Sequence, residues 1–159
     1  MSFWGAVAGG LIGTTVLTTS LRVAQEVGWT RMDIPFLLGT AFTGNRSRAV
    51  VIGYAFHFMN GLIFALMYAF VFWAVGRAGI LLGAALGFVH ALFAGGALVN
   101  VLLPSVHPRM GTPWSDAEET PLVEPPGFLL HNYGRHTVVV TVVAHVVYGA
   151  IVGAFAAGL

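Results

Sequence analysis

The sequence of 159 residues contains no cysteine and no lysine. The absence of cysteine excludes disulfides, thiolate metal ligands and a cysteine nucleophile, and the absence of lysine excludes Schiff-base chemistry. Charge is also scarce, because 8% of the residues are charged and 57% are hydrophobic, whereas a soluble domain has about 25% charged residues. So few charges could not cover the surface of a water-soluble protein, and we expect lipid to be the solvent for most of the chain.

Four long apolar runs account for most of the hydrophobic residues. A helix needs about 20 residues to cross a hydrocarbon core of about 30 Å, and none of the runs has Asp, Glu or Arg in its interior. The sequence therefore predicts an all-α membrane protein, with residues 1–159 forming one domain built as a four-transmembrane-helix bundle. The predicted helices cover approximately residues 3–21, 49–75, 79–103 and 137–158.

Two long polar loops, at 22–48 and 104–136, lie on the same side of a bundle with four spans. Because an excess of arginine marks the cytoplasmic side, and these loops hold six of the seven arginines, we expect cytoplasmic loops, both termini outside and a bacterial inner membrane. In the first loop, the apolar stretch after Asp33 is predicted to pack against the bundle, with Pro35 starting a short helix. In the second loop, the acidic stretch at 116–119 is predicted to be solvated.

Small residues recur every four positions in each predicted membrane helix. Such rows are typical of helices whose backbones approach closely in lipid. The second and fourth helices share the pattern His-x3-Gly-x3-small-x3-Ala, which begins at His57 and at His145. This pattern predicts two duplicated helical hairpins related by a pseudo-two-fold axis along the membrane normal, with the long loops forming a cytoplasmic cap.

Three histidines lie within the predicted membrane helices, where ionisable residues are costly and often functional. A rise of 1.5 Å per residue places His57 and His145 about 12 Å from the cytoplasmic surface, with His90 deeper at about 20 Å. In one interpretation they are structural and hydrogen-bond neighbouring polar groups. In another, His57 and His145 are the axial ligands of a b-type haem, with Arg48 and Arg135 near its propionates. The absence of any cofactor is equally compatible with the sequence.

A metal pathway is a further interpretation of the same histidines. His57, His90 and His145 could pass a metal ion inward, and His107 and Met110 could receive it at the cytoplasmic end. The other two histidines, His131 and His136, are expected at the surface.

The charged residues of the two loops predict a separate feature. Asp33, Arg109, Glu124 and Arg135 are predicted to form a partly buried ion network as the second loop folds back over the bundle. This loop would then be either a lid over the helix ends or a docking face for a partner subunit.

The sequence offers no recognisable catalytic motif. It lacks a Ser-His-Asp spacing, a phosphate-binding glycine loop and a paired-carboxylate site, so we expect a non-enzymatic accessory or cofactor-holding membrane component. The alternative is a small metal-ion or solute transporter or channel that uses the intramembrane histidines. Expected partners are the lipid bilayer and either another membrane protein or further copies of this chain, with no nucleic acid.

Several short motifs carry a resemblance to a known group of proteins. They are MDIP at 32–35, HFMNG at 57–61, HPRMG at 107–111, EPPGF at 124–128 and NYGR at 132–135. Over most of its length the chain resembles small bacterial four-helix inner-membrane proteins, broadly the YagU-like group. The resemblance implies a four-helix membrane fold, and it implies neither an activity nor a functional residue.

Overall fold

The computed structural model describes residues 1–110 and 123–158. Within these residues, four helices are long and apolar enough to cross a membrane, and a short helix lies between the first two. The helices are α1 (Phe3–Glu26), α2 (Ile34–Thr40), α3 (Arg46–Val75), α4 (Ile80–Val106) and α5 (Thr137–Ala157). The predicted all-helical, multi-pass membrane protein is therefore confirmed. The acidic stretch at 116–119 lies outside the described residues.

The membrane helices extend further into the first loop than the sequence predicted. α1 continues to Glu26, which pairs with Arg22 at 2.8 Å one turn earlier. α3 begins at Arg46, where the side chain of Asn45 accepts a 3.0 Å hydrogen bond from the backbone N–H of Arg48. Hydropathy marks only the apolar part of each helix, whereas the backbone hydrogen bonds continue through the polar turns.

The short helix α2 forms where Pro35 predicted it. Asp33 Oδ1 accepts a 2.9 Å hydrogen bond from the backbone N–H of Phe36 and caps the helix. Pro35 lies in the first turn, where its missing N–H costs nothing. α2 packs on the first half of α3, and a Cβ added at Gly53 would overlap the carbonyl oxygen of Pro35. The predicted packing of this stretch against the bundle is confirmed.

Helix α5 packs against both α1 and α4 through small residues. On the α4 side, a Cβ at Gly83 would overlap the carbonyl oxygen of Gly149, and a Cβ at Gly153 would overlap that of Gly79. Close backbone contact of this kind favours helix association in lipid. On the α1 side, the contacts are made by Gly5, Gly9 and Gly13. The four-residue rows seen in the sequence are thus contact faces.

Helices α3 and α4 diverge although a short turn joins them. α3 ends at Gly76, whose φ of 76° closes the helix in the left-handed region. On its other side, α3 packs on α1, where Gly61 contacts Thr14. Towards α4 the described contacts are made by large aromatic rings, among them the ring of Phe64. The bundle is therefore held open between α3 and α4.

A π-helical stretch, Ala94–Leu102, interrupts α4 between its α-helical parts Ile80–Phe93 and Leu103–Val106. Asn100 Nδ2 donates to the carbonyl oxygens of Gly95 at 2.6 Å and Gly96 at 3.1 Å. Pro104 follows and has no N–H to donate to the preceding turn. Because hydrogen bonds in a π-helix run from i to i+5, each residue advances the helix less than in an α-helix.

The described part of the second loop lies against this π-helical stretch. It forms a 3₁₀ segment, Phe128–Tyr133, in which Leu129 and Leu130 have φ values of 51° and 64°. The backbone of Leu129 lies beside Gly95 of α4, and the side chain of Leu130 is buried. The second loop thus contacts the bundle directly.

Candidate functional site

A cavity of about 380 Å³ lies in the half of the bundle nearest the long loops. Its walls come from α1, α3, α4 and α5, and residues of both loops line the end nearest the loops. Small-molecule sites typically have about 300–1,000 Å³. Since a cavity of about 150 Å³ binds benzene, this one has room for roughly 15 non-hydrogen atoms.

The two ends of the cavity differ in polarity. The loop-side end is mainly aliphatic and includes Met32, Ile34, Leu37, Leu102, Leu103 and Leu130, together with the exposed Ser105. The deep end has polar side chains from three helices: His57 and Asn60 of α3, His90 of α4 and His145 of α5. His145 lies about 12 Å along α5 from its loop-side start, and His57 roughly 16 Å along α3. The polar end is therefore the one deeper in the membrane.

His145 has one ring nitrogen in a hydrogen bond and one without a described partner. Its Nδ1–H donates to the carbonyl oxygen of Thr141, one turn earlier, at 2.8 Å. Because a carbonyl oxygen can only accept, Nδ1 must carry the proton of the neutral ring. Nε2 of His145 is then a hydrogen-bond acceptor.

His90 packs directly against His145. The ring centroids are 4.7 Å apart and the rings meet edge to face. The ring of His90 also stacks on the ring of Phe64, with the two centroids 3.6 Å apart. The hydroxyl oxygen of Tyr68 lies 3.2 Å from Nδ1 of His90. The sequence predicted His90 to lie deeper than His145. The structure brings the two rings together, because Gly87 of α4 packs on the backbone of His145 and the next turn of α4 carries His90.

His57 is positioned by a hydroxyl of α1. Its Nε2 lies 3.0 Å from Thr18 Oγ1, and that hydroxyl donates its single hydrogen to the carbonyl oxygen of Thr14 at 2.6 Å. Thr18 must therefore accept from His57, so the proton of the ring is on Nε2 and Nδ1 is an acceptor. His57 also lines a cleft of about 20 Å³ that includes Asp33.

The two arginines predicted to accompany a haem are not among the residues that line the cavity. Arg48 and Arg135 are exposed and lie outside the cavity lining, and Arg135 Nε donates to His136 Nε2 at 2.9 Å. His57 and His145 do share the cavity, as the haem hypothesis requires. However, a haem has many more atoms than the roughly 15 that the cavity accommodates. The cavity suits a smaller ligand.

The predicted receiving site for a metal ion, His107 and Met110, is engaged in contacts with the rest of the protein. His107 is buried beside α2, where Nε2–H donates to the carbonyl oxygen of Leu37 at 3.0 Å and Nδ1 accepts from the N–H of Arg109 at 3.1 Å. Both ring nitrogens are therefore used. Met110 is buried and paired through its backbone with Val123. Among residues 1–110 and 123–158, no group of three or more His, Cys, Asp or Glu side chains could hold a metal ion.

The four residues of the predicted ion network have separate partners in the described part of the chain. Asp33 caps α2, Arg109 donates to the carbonyl oxygen of Thr40 at 2.9 Å, and Arg135 contacts His136. Glu124 pairs with Arg31, an arginine that the prediction did not include. Backbone groups close to Asp33 and Arg109 satisfy these two charges locally, so the network is not assembled.

Arg31 joins the two loops. Its guanidinium nitrogen Nη2 lies 3.2 Å from Oε1 of Glu124, and the same nitrogen donates to the carbonyl oxygen of Asn132 at 2.7 Å. Close by, the hydroxyl of Tyr133 donates to the carbonyl oxygen of Glu124 at 2.8 Å. Burial, and secondarily the negative charge of Glu124, raise the pKa of Tyr133 to about 12. These contacts hold the second loop beside the cavity end that Leu130 lines.

Asn60 and Phe64 belong to the site, although the sequence analysis did not assign them to it. They follow His57 at i+3 and i+7, positions that share one face of a helix. This spacing is the signal that could have found them. The contributions from Met32 and Leu130 have no comparable periodic signal, because they depend on how the loops fold back.

Comparison of the chain with protein-family models, with curated proteins and with solved structures found no match. The resemblance to small bacterial four-helix proteins therefore stays a prediction.

Proposed function

We propose that this chain is a non-enzymatic membrane component that holds a small, largely apolar ligand in the cavity. The observation that carries the proposal is the convergence of His57, Asn60, His90 and His145 at one end of a mostly apolar space. Ligand sites typically combine a hydrophobic lining with a few placed polar groups. The proposal retains the predicted cofactor-holding role, with a ligand smaller than a haem.

In this proposal the two long loops cap the cavity on the cytoplasmic side of a bacterial inner membrane. The orientation is supported by six of the seven arginines lying in these loops. The cap is supported by Met32 and Leu130, which line the cavity from the first and the second loop. Arg31 links the loops through Glu124.

We also propose that the bundle arose from two duplicated hairpins, α1 with α3 and α4 with α5. In α3, Gly61 packs against Thr14 of its hairpin partner, and in α5, Gly149 packs against Gly83. Each of these glycines follows a cavity histidine by four residues. The equivalent packing supports a common origin for both hairpins and explains why both supply a histidine.

The alternative role, transport of a metal ion or a small solute, has less support. His107 has no ring nitrogen left for a metal, and the residues described contain no three-ligand group. A partner membrane protein or further copies of this chain remain proposed partners, and their binding would not conflict with a ligand-holding role.

The proposal is tested by filling the cavity. Ala94 lines the cavity, whereas Ala97, three residues along α4, is exposed and outside it. Wild-type protein, Ala94→Phe and Ala97→Phe are purified in mild detergent, and the small molecules that copurify are identified by mass spectrometry. We expect one class of molecule in near-equimolar amount in wild type and Ala97→Phe, and its loss from Ala94→Phe. Equal recovery from all three proteins would contradict the proposal.

A further inference from the structure

From the hydrogen-bonding groups at the deep end of the cavity, we infer that the ligand is an uncharged apolar alcohol or phenol. Its hydroxyl donates a hydrogen bond to His145 or His57. The inference rests on the proposed ligand-holding function and adds the chemical class of the ligand.

The two histidines present acceptors to this end of the cavity. The single ring proton of His145 is committed to Thr141 and that of His57 to Thr18, which leaves Nε2 of His145 and Nδ1 of His57 as lone pairs. Among the described residues, no buried side-chain nitrogen or oxygen lacks a hydrogen-bond partner. These two nitrogens must therefore reach accessible space, and we assign both to the cavity, which is the larger of the two spaces that His57 lines.

Two acceptors discriminate between ligand head groups. A hydroxyl can donate to either nitrogen, whereas a ketone or an ether has only lone pairs to place against them. A buried acceptor that is left unpaired costs free energy, and sites that bind a hydroxyl in this way reject the analogue that lacks it. Asn60 can accommodate either kind of group, because its carboxamide both donates and accepts.

The ligand is also uncharged. The cavity lining in the described part of the chain contains neither arginine nor a carboxylate. An unpaired charge is very costly to bury in an apolar space, so a carboxylate or an ammonium group would have no partner there.

The direction of the ligand follows from the polarity of the cavity. The hydroxyl lies deep in the membrane and the apolar body points towards the loops, which is the reverse of a phospholipid with its head group at the surface. At the loop-side end, Leu102 and Val106 are 50% and 74% exposed. The cavity is therefore open beside α4, which gives an apolar ligand a route of entry from the lipid.

The test uses a phenol and analogues of matched size. Full-length protein in mild detergent is incubated with equal amounts of para-octylphenol, its methyl ether and para-octylbenzoate. The protein is then re-isolated, and each compound is quantified relative to protein-free micelles. We expect wild type to retain the phenol over the ether by roughly ten-fold or more, and to exclude the benzoate.

The variants separate recognition of the hydroxyl from general apolar binding. The ratio of phenol to ether should fall towards one in at least one of His145→Phe and His57→Phe while both compounds are still bound, and an unchanged ratio in both would overturn the inference. His131→Phe, on the exposed part of the second loop, should keep the wild-type ratio. Two cavity variants are used so that the test stands if either one fails to fold, as judged by circular dichroism.

The outcomes distinguish this inference from the function on which it rests. Equal retention of phenol and ether by wild type, or preferential retention of the benzoate, would overturn the assignment of ligand class and leave the ligand-holding function standing. If wild type retained no more of any compound than Ala94→Phe does, both the ligand class and the ligand-holding function would be rejected.

Discussion

In the half of the bundle nearest the Gly76 turn, α4 and α5 touch through their backbones, whereas in the half nearest the long loops they border a cavity. The close backbone contacts of the α4 glycines run from Gly79 to Gly87, which lies against the carbonyl of His145. The deep end of the cavity begins beside that point, at His90 and His145. In this bundle, the spacing of glycines decides where the helices meet and where space remains.

The two halves are also stabilised by different interactions. The first depends on close packing of glycines, which substitutes for the weak hydrophobic drive between helices in lipid. The second depends on hydrogen bonds from loop side chains to backbone groups, such as those of His107 and Arg31. We therefore expect the two halves to respond differently to small changes in the sequence.

The largest effect is expected from Gly83→Ala in the packed half. The added Cβ would overlap the carbonyl oxygen of Gly149, so α4 and α5 must separate, at a cost of about 3 kcal/mol in the free energy of unfolding. This loss of stability is measured by thermal unfolding in detergent, monitored by circular dichroism. Gly96→Ala on the same helix is the control, because nothing lies within 4 Å of its added Cβ. Equal stability of the two variants would contradict close glycine packing.

An intermediate effect is expected from His107→Ala in the loop-side half. The change removes the donor to the carbonyl oxygen of Leu37 and the acceptor for the N–H of Arg109. The carbonyl oxygen of Leu37 keeps a hydrogen bond from the hydroxyl of Thr40, but the N–H of Arg109 loses its acceptor, at a cost of about 2 kcal/mol in the free energy of unfolding, measured by the same experiment. His131→Ala, at an exposed position, should have little effect. A zinc-dependent stability of wild type that His107→Ala abolished would instead restore the metal interpretation.

The smallest effect is expected from Glu124→Gln. The ion pair with Arg31 is lost. The side chains of Arg31 and Glu124 are 67% and 47% exposed, and such exposed pairs contribute about 0.5 kcal/mol to the free energy of unfolding. Arg31 keeps its bond to the carbonyl oxygen of Asn132, and Tyr133 still donates to the backbone of residue 124. The free energy of unfolding should fall by less than about 1 kcal/mol. A larger shift would show that the loops are held mainly by charge.

Sequence reasoning was most successful where a local pattern has one physical cause. Hydropathy located the membrane helices, Pro35 marked α2, and four-residue spacing identified glycines such as Gly83 as contact residues. It missed the start of α3 at Arg46, because polar helical turns leave no trace in hydropathy.

The site was predictable only in part. The sequence selected His57 and His145 because polar residues are rare in apolar helices, and the structure places both at one cavity. It could not predict the cavity itself, whose volume depends on the distance between helices. It also could not foresee that Arg31, and no other arginine in the described residues, would pair with Glu124, since loop partners depend on the path of the backbone.

The contacts between α4 and α5 follow one antiparallel register. Residues four apart along α4 meet positions four residues earlier along α5, from Gly79 on Gly153 to Gly87 on His145. Gly95 is eight residues beyond Gly87, and eight residues before His145 is Thr137, the first residue of α5. The row of small residues on α4 therefore runs past the beginning of its partner helix, and its last glycine meets the backbone of Leu129 in the second loop.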